Sequence, residues 1–487
     1  MRICENLREI LCNRITKENQ QRIILQCKYG FGGSSSHSQY KRKFVDENDE
    51  NGLETQDSSM ILMALVPLRL IITDSITNKE KVIWQNPIPS SPSYCRPLRL
   101  QFLKESPEVI VAEKARLNEE ITNLKDLQMD IASNSLKIEY QVFPSMFDIK
   151  SINALTSNDA TQTFYICNLG NKHFKNIDYC LSAPVNEETL QYGISSLHAR
   201  LRFFECVYKI GYKLPWKTWR LGKKNKNYSA FKERKNMIIK AFKTKLNLTI
   251  DQPKQTAGNT TDGNSARKVF QHPEILSEIT GVDLDLIKRF ADILEAITCS
   301  YAIDPNLFAD YCIDTARKYV ALYKWYKMPP TVHKVLIHGK AIIIKAPVPI
   351  RMLSEEAQEA CNKLIRRFRE FSARKMTREK TMEDVFQRLM ANSDPLIASL
   401  RNKSERKRLN ISSTVRTMLV EPNVIDPIEN TSNEIEEAVE ETEIDTEEEN
   451  ELETTVNLPS SEDEETDTDL DEAEVDSDSD GNNDSQN

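Results

Sequence analysis

Apolar residues recur at every second position in several early stretches of the chain, and at every third or fourth position after residue 190. The first period belongs to strands and the second to helices, so the chain changes character partway along. Residues 22–31 alternate, with Ile23, Leu25, Cys27, Tyr29 and Phe31 on one face. A Gly/Ser stretch over 30–38 and a polar loop to 59 follow. Residues 65–72 and 81–84 read as a hairpin and 98–102 as a short strand. Residues 112–131 read as an amphipathic helix striped by Leu117, Ile121, Leu124 and Ile131, and 136–143 as a further strand. Strands, a helix and another strand predict a mixed α/β core. Beyond it come an aromatic-rich helix over 197–212, a basic stretch over 213–245 and a polar loop over 251–267. Three helices are expected between 273 and 326, and a final one starting near Ser354.

The 487 residues suffice for two or three domains. The formal net charge of −9 conceals an asymmetry. Of the 74 acidic residues, 25 lie in 433–487, which holds none of the 65 lysines and arginines. That leaves 49 acids against 65 bases in residues 1–432, a body of about +16 joined to an acidic tail expected to be disordered. A basic body suits a polyanion partner, and the tail reads either as a regulator or as a solvated end. The N-terminus has no signal-peptide pattern, and the apolar run 60–72 is too short to span a bilayer, so no membrane partner is expected. Ten dispersed cysteines without paired spacing fit reduced thiols, and Lys403–Arg408 offers a short basic run of the kind that directs nuclear import.

The helix from Ser354 carries the most chemistry. Ser354 is placed to cap it, with Glu355 and Glu356 in its first turn. Cys361, Leu364, Ile365, Phe368 and Phe371 share one face, and Glu359, Lys363 and Arg366 lie opposite. Periodicity alone makes Glu359 a solvated residue paired with Lys363 one turn on. Between 208 and 235, Lys209, Lys213, Lys217, Arg220, Lys223, Lys224, Lys226, Lys232, Arg234 and Lys235 are interleaved with six aromatic residues. Phosphate neutralisation combined with stacking platforms describes a nucleic-acid groove, although a solvated basic face has the same pattern.

The segment from Leu353 to Arg369, with Glu359 followed by Asn362-Lys363, then Ala373-Arg374-Lys375 and Met382-Glu383-Asp384-Val385, resembles the C-terminal catalytic segment of Transib-type DNA transposases and the catalytic subunit of the V(D)J recombinase. The resemblance runs in order from about residue 27 to about residue 400, patchily before 135. It implies an RNase H-like mixed-sheet core interrupted by a large helical insertion. In that family an Asp-Asp-Glu triad holds two Mg²⁺ or Mn²⁺ ions for in-line attack on a DNA phosphate. Glu359 matches the last carboxylate, with Cys361 as a departure beside it. Phe147-Asp148, following the strand at 136–143, matches the second. The first is expected where this chain reads Phe31-Gly32-Gly33-Ser34-Ser35, so Gly32 stands in its place and offers no ligand. Asp46 and Asp49 lie in the loop beyond.

The resemblance also implies a structural zinc held by Cys-x2-Cys and His-x4-His. His333 and His338 supply the second pair and Cys167 half of the first, with Phe164 replacing its partner and His173 a candidate substitute. By the same resemblance, Arg267 and Lys268 lie near the active site, and Lys363 and Arg366 flank Glu359. Together with Lys217, Arg220, Lys223, Lys224, Arg234 and Lys235 they are the expected DNA contacts. About 20 residues precede the first strand, too few for the relatives' DNA-end-recognition domain.

The expected layout is 1–160 for the first part of the core, 161–345 for the helical, zinc-binding insertion, 346–420 for the catalytic-type helix and basic region, and 421–487 for the tail. The expectation is a nuclear, transposase-derived DNA-binding protein that pairs as a homodimer, takes no small-molecule substrate and is catalytically impaired at Gly32. Two alternatives stay open: an active metal-dependent transposase or endonuclease with a substitute ligand, and a non-enzymatic interaction scaffold.

Overall fold

A computed structural model describes residues 21–35, 37, 57–74, 80–131, 134–156, 158, 163–252, 260–400 and 411–420. Asp46, Asp49, the basic run at 403–408 and the acidic tail lie outside the described residues. The alternating segments build one six-stranded sheet of mixed orientation. Strand β1 (Gln21–Ser34) pairs antiparallel with β2 (Met60–Asp74) and parallel with β6 (Asn134–Met146). The outer edge of β2 takes β3 (Glu80–Gln85) at one end and β4 (Arg96–Gln101) at the other. The far edge is β5 (Leu127–Ile131), antiparallel to β6.

Strand β1 extends through Gly30–Ser34, where a loop was expected, because the apolar run of β2 continues to pair with it: Gly32 faces Leu62 and Gly33 faces Ile61 across the ladder. The helix expected over 112–131 is also corrected. Ser106 caps helix α1 (Pro107–Thr122) with Pro107 at its first position, and Asn123 ends it. Leu127–Ile131 then turns back as β5, and Leu124 is exposed instead of joining a stripe.

The two faces of the sheet follow the period of two. Met60, Leu62, Ala64, Val66 and Leu68 of β2 pack with Met352, Leu353, Ala357, Cys361, Ile365, Val385 and Leu389. Ile61 and Met63 pack on the opposite side with Tyr29, Phe31, Val109, Leu117 and Phe147. The first face is covered by α11 (Glu356–Arg367) and α12 (Arg378–Asn392), and the second by α1 and α2 (Ile149–Leu155).

The helical body comprises α3 (Ile177–Ser182), α4 (Ser196–Lys213), α5 (Tyr228–Leu246), α6 (Gly263–Phe270), α7 (Pro273–Thr280), α8 (Leu284–Thr298), α9 (Pro305–Tyr323) and α10 (Pro330–Lys345). The three helices expected between 273 and 326 are α7, α8 and α9; α10 was not foreseen. Its core is continuous with the second face of the sheet, reaching from Phe31 through Phe203 and Phe290 to Tyr319.

Helix α11 starts one residue later than expected. Ser354 Oγ nevertheless accepts the Glu356 N–H at 3.3 Å. A π-helical turn, Phe368–Ser372, shifts the phase at its end, which leaves Phe371 80% exposed and off the apolar face. The helix is not the last: α12, α13 (Pro395–Leu400) and α14 (Ser413–Thr417) follow.

Candidate functional site

Parallel pairing puts the C-terminal ends of β1 and β6 side by side, and loops leaving such ends are where α/β folds place chemistry. Gly30 makes this possible. A Cβ there would lie 1.9 Å from the Met146 carbonyl oxygen, so only glycine lets the strands approach. The fully buried Lys28 donates from Nζ to the Ser354 carbonyl and ties β1 to the start of α11.

The three positions singled out from the sequence meet at this edge. A Cβ on Gly32 would contact Gln358 Cγ at 3.4 Å and Asn362 Nδ2 at 3.6 Å, the α11 residues on either side of Glu359. Asp148 leaves β6 and caps α2, its Oδ1 accepting the Ser151 N–H at 2.7 Å. Much of Glu359 is open to water, yet protein atoms crowd its carboxyl. Its pKa is raised by lost hydration first and then by the like charges of Glu355 and Asp148, an effect that the open side screens.

Three further residues at this edge were missed in the sequence. Glu105, between β4 and α1, is half-buried, accepts Ser151 Oγ at 3.1 Å and also takes the Gly33 N–H. Burial and then Asp148 raise its pKa. A Cβ on Gly33 would lie 2.7 Å from its Oε2. Glu355, buried at the start of α11, accepts Ser195 Oγ at 2.7 Å and pairs with His198 Nδ1. Burial opposes the charge on His198, but Glu355 outweighs it and the pKa is raised. No spacing links Glu105, His198 or Glu355 to Asp148 in the chain. The one available signal was an acidic residue just ahead of the Ser-Pro helix start.

The arrangement brings carboxylates and the His198 imidazole to one edge of the sheet. It fits a divalent pair only in part, because among the described residues no three of these carboxylates bring oxygens within 4.8 Å of one another.

A second cluster lies in the helical body. A turn ending at Asn168, which takes the left-handed φ of 55°, presents Cys167, and α10 presents His333 and His338. Their ligand atoms all lie within 4.8 Å, and all three residues are buried. Cys167 Sγ is 3.6 Å from His333 Nε2, which is 3.2 Å from His338 Nε2. Phe164, standing where a cysteine ligand was expected, stacks on His338, and Phe174 stacks on His333 with centroids 3.7 Å apart. These rings cover the imidazole faces and leave the in-plane lone pairs open.

Burial depresses both imidazoles, His338 to about 4, so they are neutral at pH 7, and burial pushes the Cys167 thiol up. His333 Nδ1 is buried with no hydrogen-bond partner. Cys167 Sγ and His338 Nε2 converge on His333 Nε2, and a shared cation would take a lone pair from each of the three. The cluster therefore forms a possible metal site with three of the four ligands a closed zinc site needs. His173 does not join it; its ring packs on Tyr179.

The expected DNA contacts fall into two groups. Lys217, Arg220, Lys223 and Lys224 are exposed in the segment between α4 and α5. Lys268 and Lys363 are exposed, Arg267 is half-buried on α6, and Arg366 reaches back to the Ser35 carbonyl at 2.9 Å. Arg234 instead holds helices together, donating to the Gly211 carbonyl at 2.7 Å and the Thr280 carbonyl at 3.2 Å. Lys235 pairs with Asp251 at 3.0 Å and lies over the Tyr212 ring. The aromatic residues are similarly occupied: Tyr208 and Tyr212 are core, and Trp219 packs on Tyr326. No helix among the described residues is long and apolar enough to cross a membrane.

No protein-family model matches the chain, and comparison with curated proteins finds no match.

Proposed function

We propose that this chain is a transposase-derived DNA-binding protein of the RNase H-like Asp-Asp-Glu recombinase class, with its strand-transfer chemistry impaired. The observation that carries the reading is the meeting of Gly32, Asp148 and Glu359 at one sheet edge, with glycine at the corner where the resemblance expects aspartate. The mixed sheet, with β1 antiparallel to β2 and parallel to β6, supports the RNase H-like fold. Asp148 and Glu359 are the residues that would hold Mg²⁺ or Mn²⁺, which supplies charge neutralisation at the phosphate and an activated oxygen when bound. With two carboxylates in place of three, occupancy falls and with it the rate. DNA is held by the exposed cations Lys217, Arg220, Lys223 and Lys224, with Lys268, Lys363 and Arg366. Nuclear location and a homodimer belong to the same reading. Its test is DNA affinity against salt: a steep linear loss in log–log form supports the binding role, and absent or salt-insensitive binding rejects it.

A second reading is favoured by Glu105. Its carboxylate abuts Gly33 and shares Ser151 with Asp148, so it is placed to serve as a substitute third ligand in an active metal-dependent nuclease or transposase. Divalent-dependent nicking by the native chain that is lost in Glu105→Gln would select this reading over the first.

A further inference from the structure

Cysteine ligands are lost when a site decays, but a thiol from another helix can replace them if it is buried beside the same ligands. Cys180 is such a thiol. It lies on α3, is 1% exposed, and comes from a helix packed against α10, which carries His333 and His338. Its thiol donates to the His173 carbonyl at 3.4 Å. The next residue, Phe174, is the ring stacked on His333, so Cys180 sits against the wall of the cluster. It does not lie within 4.8 Å of all three ligand atoms.

We propose that Cys180 supplies the fourth ligand of a Cys2His2 zinc site with Cys167, His333 and His338, its sulfur turning from the His173 carbonyl onto the metal. Several observations favour the thiol over water. The cluster is buried, aromatic rings line it, and zinc prefers sulfur and nitrogen in closed sites. The Cys180 thiol is held only by a weak S–H bond to the His173 carbonyl, which a metal–sulfur bond would outweigh. Binding displaces two protons, one from each thiol, so affinity rises with pH. The site folds the helical body and stands whether or not the chain acts on DNA.

X-ray absorption at the zinc edge of the full-length, zinc-loaded protein reads the ligands without any substitution. The expected result is two sulfurs at about 2.3 Å and two nitrogens at about 2.0 Å. One sulfur with three light atoms, or failure of the chain to bind zinc, overturns the proposal. Cobalt substitution gives a second readout. Cys180→Ser is expected to remove about half of the sulfur-to-cobalt charge-transfer intensity and to weaken zinc binding at least about tenfold. Cys312→Ser, buried elsewhere, is expected to leave both unchanged. An unchanged cobalt spectrum in folded Cys180→Ser also overturns it.

Discussion

Replacing Gly32 with aspartate tests whether the vacant corner is what limits this site. The backbone admits the change, because the new Cβ meets Gln358 Cγ and Asn362 Nδ2 at 3.4 and 3.6 Å, which is ordinary contact. The new carboxylate joins Asp148, Glu359 and Glu105, so without metal it is repelled. A like-charge effect of one to two pKa units amounts to roughly 1.4–2.8 kcal/mol. At roughly 2 °C per kcal/mol for a chain of this size, the melting temperature in EDTA falls by roughly 3–6 °C. Gly32→Ala carries the same Cβ without the charge and stays close to the native value. Manganese at a hundredfold excess over its dissociation constant returns about 2.7 kcal/mol, enough to offset the repulsion. The assay is thermal unfolding of native, Gly32→Ala and Gly32→Asp proteins in EDTA and in Mn²⁺. Reasoning from a vacant ligand position fails if the aspartate variant gains nothing from Mn²⁺, or if the native protein gains as much.

Other outcomes follow from the same geometry. Gly30→Ala forces a Cβ to 1.9 Å from the Met146 carbonyl and should cost about 3 kcal/mol or more by chemical denaturation, whereas Gly32→Ala stays within about 1 kcal/mol. His198 faces Glu355, Glu359 and Asp148, and its raised pKa means the folded state binds the proton more tightly than the unfolded chain. That contribution is complete below the unfolded value near 6.5 and is lost as pH rises through the folded value, so His198→Gln should flatten stability against pH on that limb. Converting Lys217, Arg220, Lys223 and Lys224 together to glutamine should reduce the salt slope of DNA binding by up to about 3.6, at about 0.9 per phosphate contact. Arg234→Gln should instead lower stability by about 1–3 kcal/mol through its two lost carbonyl bonds and leave the slope nearly unchanged.

Period two announced β1 and β6, whereas β2 is an almost unbroken apolar run because both its faces are buried, Leu62 and Ala64 against α11 and α12 and Ile61 and Met63 on the other side. The short hairpin β5–β6 was hidden, since Leu127–Ile131 continues the apolar count of the preceding helix and only Asn123 marks the break. Helix α11 was legible in its exposed and buried faces, but not in its π-helical end, where Phe371 leaves the stripe. The Cys167, His333 and His338 cluster was legible through the resemblance alone, which also singled out Asp148 and Glu359. Glu105, His198, Glu355 and Cys180 were not, because they meet these residues through strand pairing and helix packing, which no local spacing records. Charge alone did not show that Arg234 and Lys235 also have partners within the chain, carbonyls and a carboxylate from other helices and loops.

Nicking of supercoiled DNA in Mn²⁺ by the native chain, Gly32→Asp, and Gly32→Asp combined with Glu359→Gln tests the impaired-recombinase reading most directly. The reading predicts little or no cutting by the native chain, a gain of at least about tenfold on restoring the aspartate, and loss of that gain without Glu359. Cutting by the native chain at the level of Gly32→Asp, or a restored activity indifferent to Glu359, would contradict it.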